Sequence, residues 1–241
     1  MSDVLSIEGL NAWYGESHIL HGVDFAVAPG EVVTLLGRNG SGRTTTLRAI
    51  MGLVGRRAGS IKVGGNETVR LSSNRIARKG IGYCPEERGI FASLSAEENL
   101  MLPPALKANG SGALVGAPMP ISEIYAMFPN LKERAKSPGT RLSGGEQQML
   151  AVARILRTGA RMLLLDEISE GLAPVIVQKL GEVIRVLKQQ GYTIVLVEQN
   201  FRFAAPLADR FYVMEHGKIV KRFAQSELAA NMNMLHEFLG V

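Results

Sequence analysis

The sequence has few of the features that mark exported or membrane-spanning proteins. It contains one cysteine, Cys84, among 241 residues, so no internal disulfide can form and a disulfide-stapled secreted fold is disfavoured. Cys84 itself fits a small buried residue. Apolar runs such as the one in RMLLLDE are far too short to span a bilayer, and the start, MSDVLSIEGL, lacks the pattern of a signal peptide. We expect a reducing compartment, with any membrane reached through a partner.

Charge of one sign is not concentrated anywhere in the chain. There are 27 basic and 22 acidic residues, a net charge of +5, and the basic residues are scattered apart from short clusters at 56–57 and 75–79. Such an excess can indicate nucleic acid or an anionic membrane surface, but scattering favours an ordinary solvated surface. With 46% hydrophobic residues the chain can build a sizeable core. We therefore expect a globular protein with no nucleic-acid partner.

Short apolar runs alternate with helical patterns, which predicts an α/β domain with a largely parallel sheet. EVVTLLG, residues 31–37, is typical of a buried strand, and RTTTLRAIMGL of the helix after it. RMLLLDE and YTIVLVEQ are strand-length runs that end in polar residues, where parallel sheets usually place their chemistry. Near the C-terminus we expect a hairpin at His216–Gly217 and then a final helix.

Between about residues 93 and 158 the pattern is helical instead. Ser95 with Glu98, and Ser143 with Glu146, have the spacing of capping boxes at helix starts. This predicts a helical subdomain at approximately 93–158, inserted in a single domain that covers residues 1–241. PPALKANGSGALVGAPMP, at 103–120, is so rich in proline, glycine and small residues that it predicts an exposed, mobile loop.

The segment GRNGSGRTTT, residues 37–46, has the composition of a loop that holds a nucleotide's phosphates. Gly37, Gly40 and Gly42 let successive backbone N–H groups wrap phosphate oxygens, and the N-terminus of the next helix adds positive potential. The spacing matches G-x-x-x-x-G-K-[ST] except that Arg43 replaces the lysine, and the Thr44 hydroxyl is suited to Mg²⁺. An ordinary glycine-rich turn is the alternative.

A second motif, LSGGEQQ, occupies residues 142–148. A capping box explains Ser143 and Glu146, but it does not explain two glycines in the first helical turn, where their helix propensity is poor. Paired glycines there suggest that a ligand approaches the backbone closely, and a terminal phosphate at a helix N-terminus would satisfy this.

A third motif, MLLLDE at 162–167, is an apolar strand that ends in two carboxylates. Packing does not account for adjacent acids at a buried strand end, because such charges must be paired or bound to metal. Asp166 is suited to hold Mg²⁺ through water, and Glu167 to act as a general base on an attacking water.

Taken together, these motifs make the whole chain resemble the ATP-binding subunit of ABC transporters. Walker A (GRNGSGRT), signature (LSGGE) and Walker B (MLLLDE) stand in the family's order, and the resemblance covers almost all 241 residues. It implies a P-loop NTPase fold of the ABC type with an inserted helical subdomain. The details WYG, CPEERGIF, LSGGEQQMLA, EGLAP and VEQN are most similar to the subgroup that serves uptake of branched-chain amino acids or related amides.

The resemblance also implies roles for individual residues. Glu167 and Gln199, the latter at the switch position, are the implied catalytic residues, and Thr44, Glu86 and Asp166 the implied metal ligands. Tyr14 is implied to stack on adenine, although taken alone it would be a core or edge aromatic. Glu86 is at the Q-loop position, although taken alone it would be a solvated acid. The implied nucleotide-binding residues are Tyr14, Gly37, Arg38, Asn39, Gly40, Ser41, Gly42, Arg43, Thr44, Thr45, Ser143, Gly144 and Gly145.

The implied cofactors are ATP and Mg²⁺, and the implied partners are integral-membrane permease subunits. A second ABC ATPase, identical or homologous, would complete a dimer, and a solute-binding protein would belong to the complex. The implied location is the cytoplasmic face of the membrane, with attachment through partners.

Three departures from the family pattern weigh against full activity. Arg43 replaces the loop lysine, and DEISEGLAP has Ile168 and Glu170 where the family's DEPSLGL pattern has proline and an apolar residue. One alternative is therefore a subunit that binds nucleotide but is impaired in hydrolysis. Another is a soluble ABC ATPase not linked to transport, although the insertions, coiled coils or tandem domain expected of that class are missing from this sequence.

Overall fold

The computed structural model describes residues 3–107 and 114–239, and its strands form two sheets. The strands are β1 (Leu5–Tyr14), β2 (Ser17–Val27), β3 (Val32–Leu36), β4 (Arg56–Val63), β5 (Asn66–Glu67), β6 (Ile81–Cys84), β7 (Met162–Asp166), β8 (Thr193–Val197), β9 (Arg210–Glu215) and β10 (Lys218–Ala224).

Helices cover the sheets and connect the strands. They are α1 (Arg43–Ile50), α2 (Ser73–Ala77), α3 (Ala96–Met101), α4 (Ile121–Met127), α5 (Pro129–Glu133), α6 (Gly144–Leu156), α7 (Pro174–Gln189), α8 (Phe201–Ala204) and α9 (Leu228–Leu239). Within the described ranges, no helix is both long enough and apolar enough to cross a bilayer.

The larger sheet has the strand order β10-β9-β3-β8-β7-β6, and only β10 runs antiparallel to its neighbour. Every residue of β3, β7 and β8 is buried, because both faces of this sheet are covered. Val32 and Leu36 of β3 pack into one hydrophobic cluster, which includes α6 and α7, and the alternate residues Val33 and Leu35 pack into a second. The predicted α/β fold with a largely parallel sheet is confirmed.

The smaller sheet is antiparallel, with the order β2-β1-β4-β5, and supplies the other wall of the second cluster. Helix α1 contributes Leu47 and Ile50 to the same cluster, so it lies against the larger sheet directly after β3. This arrangement fixes the loop at 37–42 between a buried strand and a buried helix.

Both predicted capping boxes and the predicted hairpin are confirmed. The Ser95 side chain caps α3 through the Glu98 N–H, and the Ser143 side chain caps α6 through the Glu146 N–H. The hairpin joins β9 to β10 at His216–Gly217, whose φ angles are 45° and 73°, the left-handed values of a tight two-residue turn.

The prediction of an exposed loop at 103–120 is wrong for residues 114–119. Leu114 and Met119 are 5% and 4% exposed, and the Gly116 N–H donates to the Gly159 carbonyl at 2.8 Å. This segment packs against the start of β7 because Leu114 reaches the second hydrophobic cluster and Met119 the first. Residues 108–113, in the middle of the prediction, lie outside the described residues.

Candidate nucleotide-binding site

Several predicted site residues meet at the edge of the larger sheet where its parallel strands end. Leu35 of β3 and Asp166 of β7 both pair with Val197 of β8, so the segments that follow these three strands lie side by side. A cavity of about 430 Å³ opens at this edge. It is lined by Tyr14, Ile19, Asn39, Gly40, Ser41, Gly42, Arg43, Thr44, Thr45, Glu86, Glu167 and Glu170.

The loop at 37–42 needs its glycines for steric reasons. Gly40 and Gly42 have φ angles of 79° and 104°, a region that side chains strongly disfavour. A Cβ atom on Gly37 would lie 2.5 Å from the Met214 carbonyl oxygen, and one on Gly42 would lie 2.9 Å from Cδ2 of Leu20. The backbone therefore lies close against its surroundings and leads into the N-terminus of α1, which favours anions.

Asp166 is fully buried at the end of β7 and is held by two hydroxyl groups. Thr44 Oγ1 donates to Oδ1 at 2.9 Å, and the Tyr83 hydroxyl donates to Oδ2 at 3.0 Å. Burial raises the pKa of Asp166, and these two hydrogen bonds oppose the rise. Sequence analysis gave Tyr83 no role, although it lies on β6 just before the quoted segment CPEERG.

The oxygen set around Asp166 fits Mg²⁺ only together with further ligands. Thr44 and Asp166 provide two oxygens, and the exposed Glu86 lines the same cavity. Across residues 3–107 and 114–239, no group of three or more His, Cys, Asp or Glu side chains is arranged to hold a metal. Mg²⁺ usually takes one or two carboxylates and completes its shell with water and substrate phosphates.

Arg43, the residue in place of the loop lysine, is turned inward. Its Nη2 lies 2.6 Å from Oε1 of Glu167, and the two side chains are 3% and 10% exposed. Nη1 donates to the Glu198 carbonyl at 3.3 Å and also to the Gly37 carbonyl. The guanidinium therefore bridges the ends of β3, β7 and β8.

Glu167 stands just past β7 with a positive φ of 47°. Burial and a hydrogen bond with Glu170 raise its pKa to about 7, against the opposing charge of Arg43. A carboxylate with a raised pKa is suited to accept a proton near neutral pH. Glu170, one of the departures from the family pattern, thus lies beside the predicted general base. Ile168, another departure, is 1% exposed and packs in the hydrophobic core.

Glu198 is a buried acid that sequence analysis did not single out. It is 1% exposed, and its carboxylate accepts from the Ser169 N–H at 3.0 Å and from Ser169 Oγ at 2.7 Å. These bonds join the end of β8 to the loop after β7. Burial raises its pKa to about 7, and the hydrogen bonds from Ser169 oppose the rise. An acid directly after the buried run IVLV is the same signal that identified Asp166.

Some predicted residues are not brought into this cavity. The Arg38 side chain donates to the carbonyls of Glu237 and Phe238 in α9, at 2.9 and 3.0 Å. Gln199 lines a neighbouring cavity of about 790 Å³, which also borders Glu167 and Glu170.

Ser143, Gly144 and Gly145 begin α6 and do not line the nucleotide cavity of their own chain. A Cβ on Gly145 would lie 2.9 Å from Cγ1 of Ile176, so packing against α7 accounts for this glycine. Sequence analysis attributed both glycines to a closely approaching phosphate. The capping interaction of Ser143 leaves its hydroxyl at the helix N-terminus, on an exposed residue.

A glycine-rich loop between a buried strand and a helix, beside a strand that ends in a buried aspartate, defines a P-loop nucleotide-binding protein. The sequence profile of the ABC transporter family matches residues 20–170. The chain belongs to the ABC transporter family and is an ATP-binding subunit of that family.

Relatives and solved structures extend this assignment. The chain is 40% identical to BraG, a high-affinity branched-chain amino acid transport ATP-binding protein of Pseudomonas aeruginosa, over 98% of this chain and 100% of BraG. It is 35% identical to LivF of Archaeoglobus fulgidus, a probable branched-chain amino acid transport ATP-binding protein, over 91% of each chain. A nucleotide-free ATP-binding cassette from an ABC transporter superposes with a TM-score of 0.81 at 20% identity, covering 100% of this chain and 99% of the other.

Proposed function

We propose that this protein hydrolyses ATP to drive a membrane permease that takes up branched-chain amino acids or a related small solute. The observation that carries the ATPase part is the convergence of the glycine loop, Thr44 and Glu167 on one cavity, with the buried Asp166 hydrogen-bonded to Thr44. The solute class is supported by BraG and LivF, whose similarity extends over nearly the full chain.

Each group at the site has a distinct task in this proposal. The N–H groups of the loop and of α1 hold the phosphates, while Tyr14, 41% exposed at the end of β1, offers a ring to the adenine. Thr44, Asp166 and Glu86 would hold Mg²⁺, which when bound neutralises phosphate charge. Glu167 accepts the proton of the attacking water, and the Gln199 amide hydrogen-bonds the terminal phosphate without titrating.

We further propose that two ATP-binding subunits pair head to tail, whether identical or homologous. Residues 143–145 would then face residues 37–44 of the other subunit. This is supported by the position of the LSGGE segment, which begins a helix outside its own chain's cavity. The helical subdomain at about 93–158 and the region of Glu86 would transmit closure to the permease at the cytoplasmic face, with a solute-binding protein completing the complex.

The test is co-expression with permease subunits of a branched-chain amino acid transporter, followed by purification from membranes and reconstitution. ATP-dependent uptake of leucine, isoleucine or valine into vesicles is the expected result. In the Glu167→Gln complex ATP should bind and persist in a trapped dimer, while phosphate release falls by roughly a hundredfold or more. Recovery of the protein only in the soluble fraction, or phosphate release unchanged in Glu167→Gln, would contradict the proposal.

A further inference from the structure

The buried ion pair between Arg43 and Glu167 has a consequence for how nucleotide is bound. The guanidinium is held from three sides, by the Glu167 carboxylate at 2.6 Å, the Glu198 carbonyl at 3.3 Å and the Gly37 carbonyl. Its side chain is only 3% exposed. The charged group of Arg43 is therefore already paired with protein acceptors at the floor of the cavity.

An arginine can make this arrangement, whereas a lysine cannot reproduce it. One arm of the guanidinium fork takes the two carbonyls and the other takes the carboxylate. Lysine has a single ammonium group at the end of its chain and cannot occupy both positions at once.

A second departure from the family pattern lies beside the same residue. The Glu170 N–H donates to the Glu167 carbonyl at 3.3 Å, and both residues line the nucleotide cavity. Glu86 lines the same cavity, so three acidic side chains, those of Glu86, Glu167 and Glu170, lie on its wall. An incoming phosphate group therefore meets carboxylates at the cavity wall and an arginine that is already paired.

We propose that the ion pair between Arg43 and Glu167 acts as a lock. It holds Glu167 in place until the terminal phosphate of a nucleoside triphosphate displaces the carboxylate from the guanidinium. This inference rests on the proposed function. A terminal phosphate can replace the carboxylate as the partner of the guanidinium. A carboxylate is planar and a phosphate is tetrahedral, but arginine binds both through two parallel hydrogen bonds. Binding of the triphosphate and release of Glu167 are then one coupled event. A nucleoside diphosphate, one phosphate shorter, competes less for the guanidinium.

The test is a double-mutant cycle on nucleotide affinity, measured by calorimetry with the purified full chain in EDTA so that no hydrolysis occurs. Four proteins are compared, namely wild type, Glu167→Gln, Arg43→Lys and the double variant, each titrated with ATP and with ADP. Glutamine keeps the shape of the side chain but removes its charge. In the wild-type background, Glu167→Gln should tighten ATP binding roughly tenfold, since a charge-assisted hydrogen bond no longer has to be broken.

In the Arg43→Lys background the same change should alter ATP affinity by less than about twofold, because a single ammonium group cannot serve the carbonyls and the Glu167 carboxylate together. The matched control is Arg210→Lys. Arg210 also lies 2.6 Å from a glutamate, Glu31, but this pair is at the opposite edge of the sheet. Arg210→Lys should leave the effect of Glu167→Gln intact.

An equal gain from Glu167→Gln in both backgrounds would overturn the lock, because loss of negative charge near the phosphates would explain it without Arg43. If Arg43→Lys does not fold, the test uses the gain in affinity that Glu167→Gln gives for ATP and for ADP. An equal gain for both nucleotides overturns the lock. Absence of ATP binding in all four proteins would instead refute the proposed function, so the two failures are distinguishable.

Discussion

The Tyr83 hydroxyl donates a hydrogen bond to Oδ2 of Asp166 at 3.0 Å, and so orients the carboxylate whose other oxygen meets Thr44. Tyr83 comes from β6 and Asp166 from the neighbouring strand β7. Tyr83 therefore positions Asp166, the predicted metal ligand, without contributing a carboxylate to the metal site itself. Substitutions of Asp166 and Tyr83 should therefore differ in how they change the dependence of ATP turnover on Mg²⁺.

We predict that Asp166→Asn lowers ATP turnover by roughly a hundredfold and raises the Mg²⁺ concentration for half-maximal activity, because a charged ligand is lost. The measurement is phosphate release against Mg²⁺ concentration. Tyr83→Phe is the control, since it removes one hydrogen bond but keeps the carboxylate, and its effect should be smaller. Identical Mg²⁺ curves for Asp166→Asn and wild type would place the metal elsewhere.

We predict that Arg43→Lys raises turnover in the assembled complex by about tenfold or more while ATP affinity changes much less. Positioning is stricter than binding, and displacement of a phosphate-binding group on the order of 1 Å can cost about a hundredfold in rate. Phosphate release and ATP binding are measured on the same preparation, with Arg210→Lys as the control. If the lysine variant is no faster, arginine is a tolerated substitution in this loop.

We predict that Gly145→Ala lowers the free energy of unfolding by roughly 1–2 kcal/mol, the cost of overpacking less the gain in helix propensity. The added Cβ would lie 2.9 Å from Cγ1 and 3.0 Å from Cγ2 of Ile176. Gly144→Ala is the matched control, because its Cβ would meet only the flexible end of Arg88, at 3.3 Å. Urea unfolding compares the two variants, and equal stabilities would show that Ile176 moves aside freely.

We predict that the stability of the wild type declines as pH rises from about 4.5 to 7, and that Glu198→Gln removes part of this decline. Because burial raises the folded-state pKa of Glu198 from 4.5 to about 7, the native state binds a proton that the unfolded state has lost. This contribution is fully present below the unfolded pKa and disappears as pH passes the folded value. It amounts to something on the order of 3 kcal/mol at most.

Unfolding free energies at several pH values test the assignment to Glu198. Glutamine cannot titrate but can still accept a hydrogen bond from Ser169, so the curve of the variant should be flatter over this range. Parallel curves for the variant and the wild type would assign the pH dependence to other groups.

The larger sheet and the edge that carries the site could be predicted because both depend on local patterns. Buried parallel strands are apolar throughout, and acids after them must lie at the carboxyl edge, as Asp166 does. The capping boxes of α3 and α6 were equally local, each set by residues three apart.

The direction of the Arg43 side chain could not be predicted, because two of its partners are remote in the chain. Glu167 is 124 residues away and Glu198 is 155 residues away. Motif spacing assigned Arg43 to phosphate, since the motif describes the nucleotide and not the competing carboxylate. The packing of Leu114 was missed for a similar reason, because small residues around it suggested a free loop while its contacts come from another part of the sheet.

The hydrogen bonds from Arg38 to the last turn of α9 link residues 199 and 200 positions apart. Strand β3, which leads into the phosphate loop, likewise pairs with β8 and β9, both from the last quarter of the chain. During synthesis on the ribosome, where the N-terminal part emerges first, the glycine loop is translated early but has none of these partners. The nascent chain thus gains the strand neighbours of its phosphate loop only when residues up to 215 have left the exit tunnel. A ribosome stalled before that point carries every residue of the Walker motifs without a finished binding pocket.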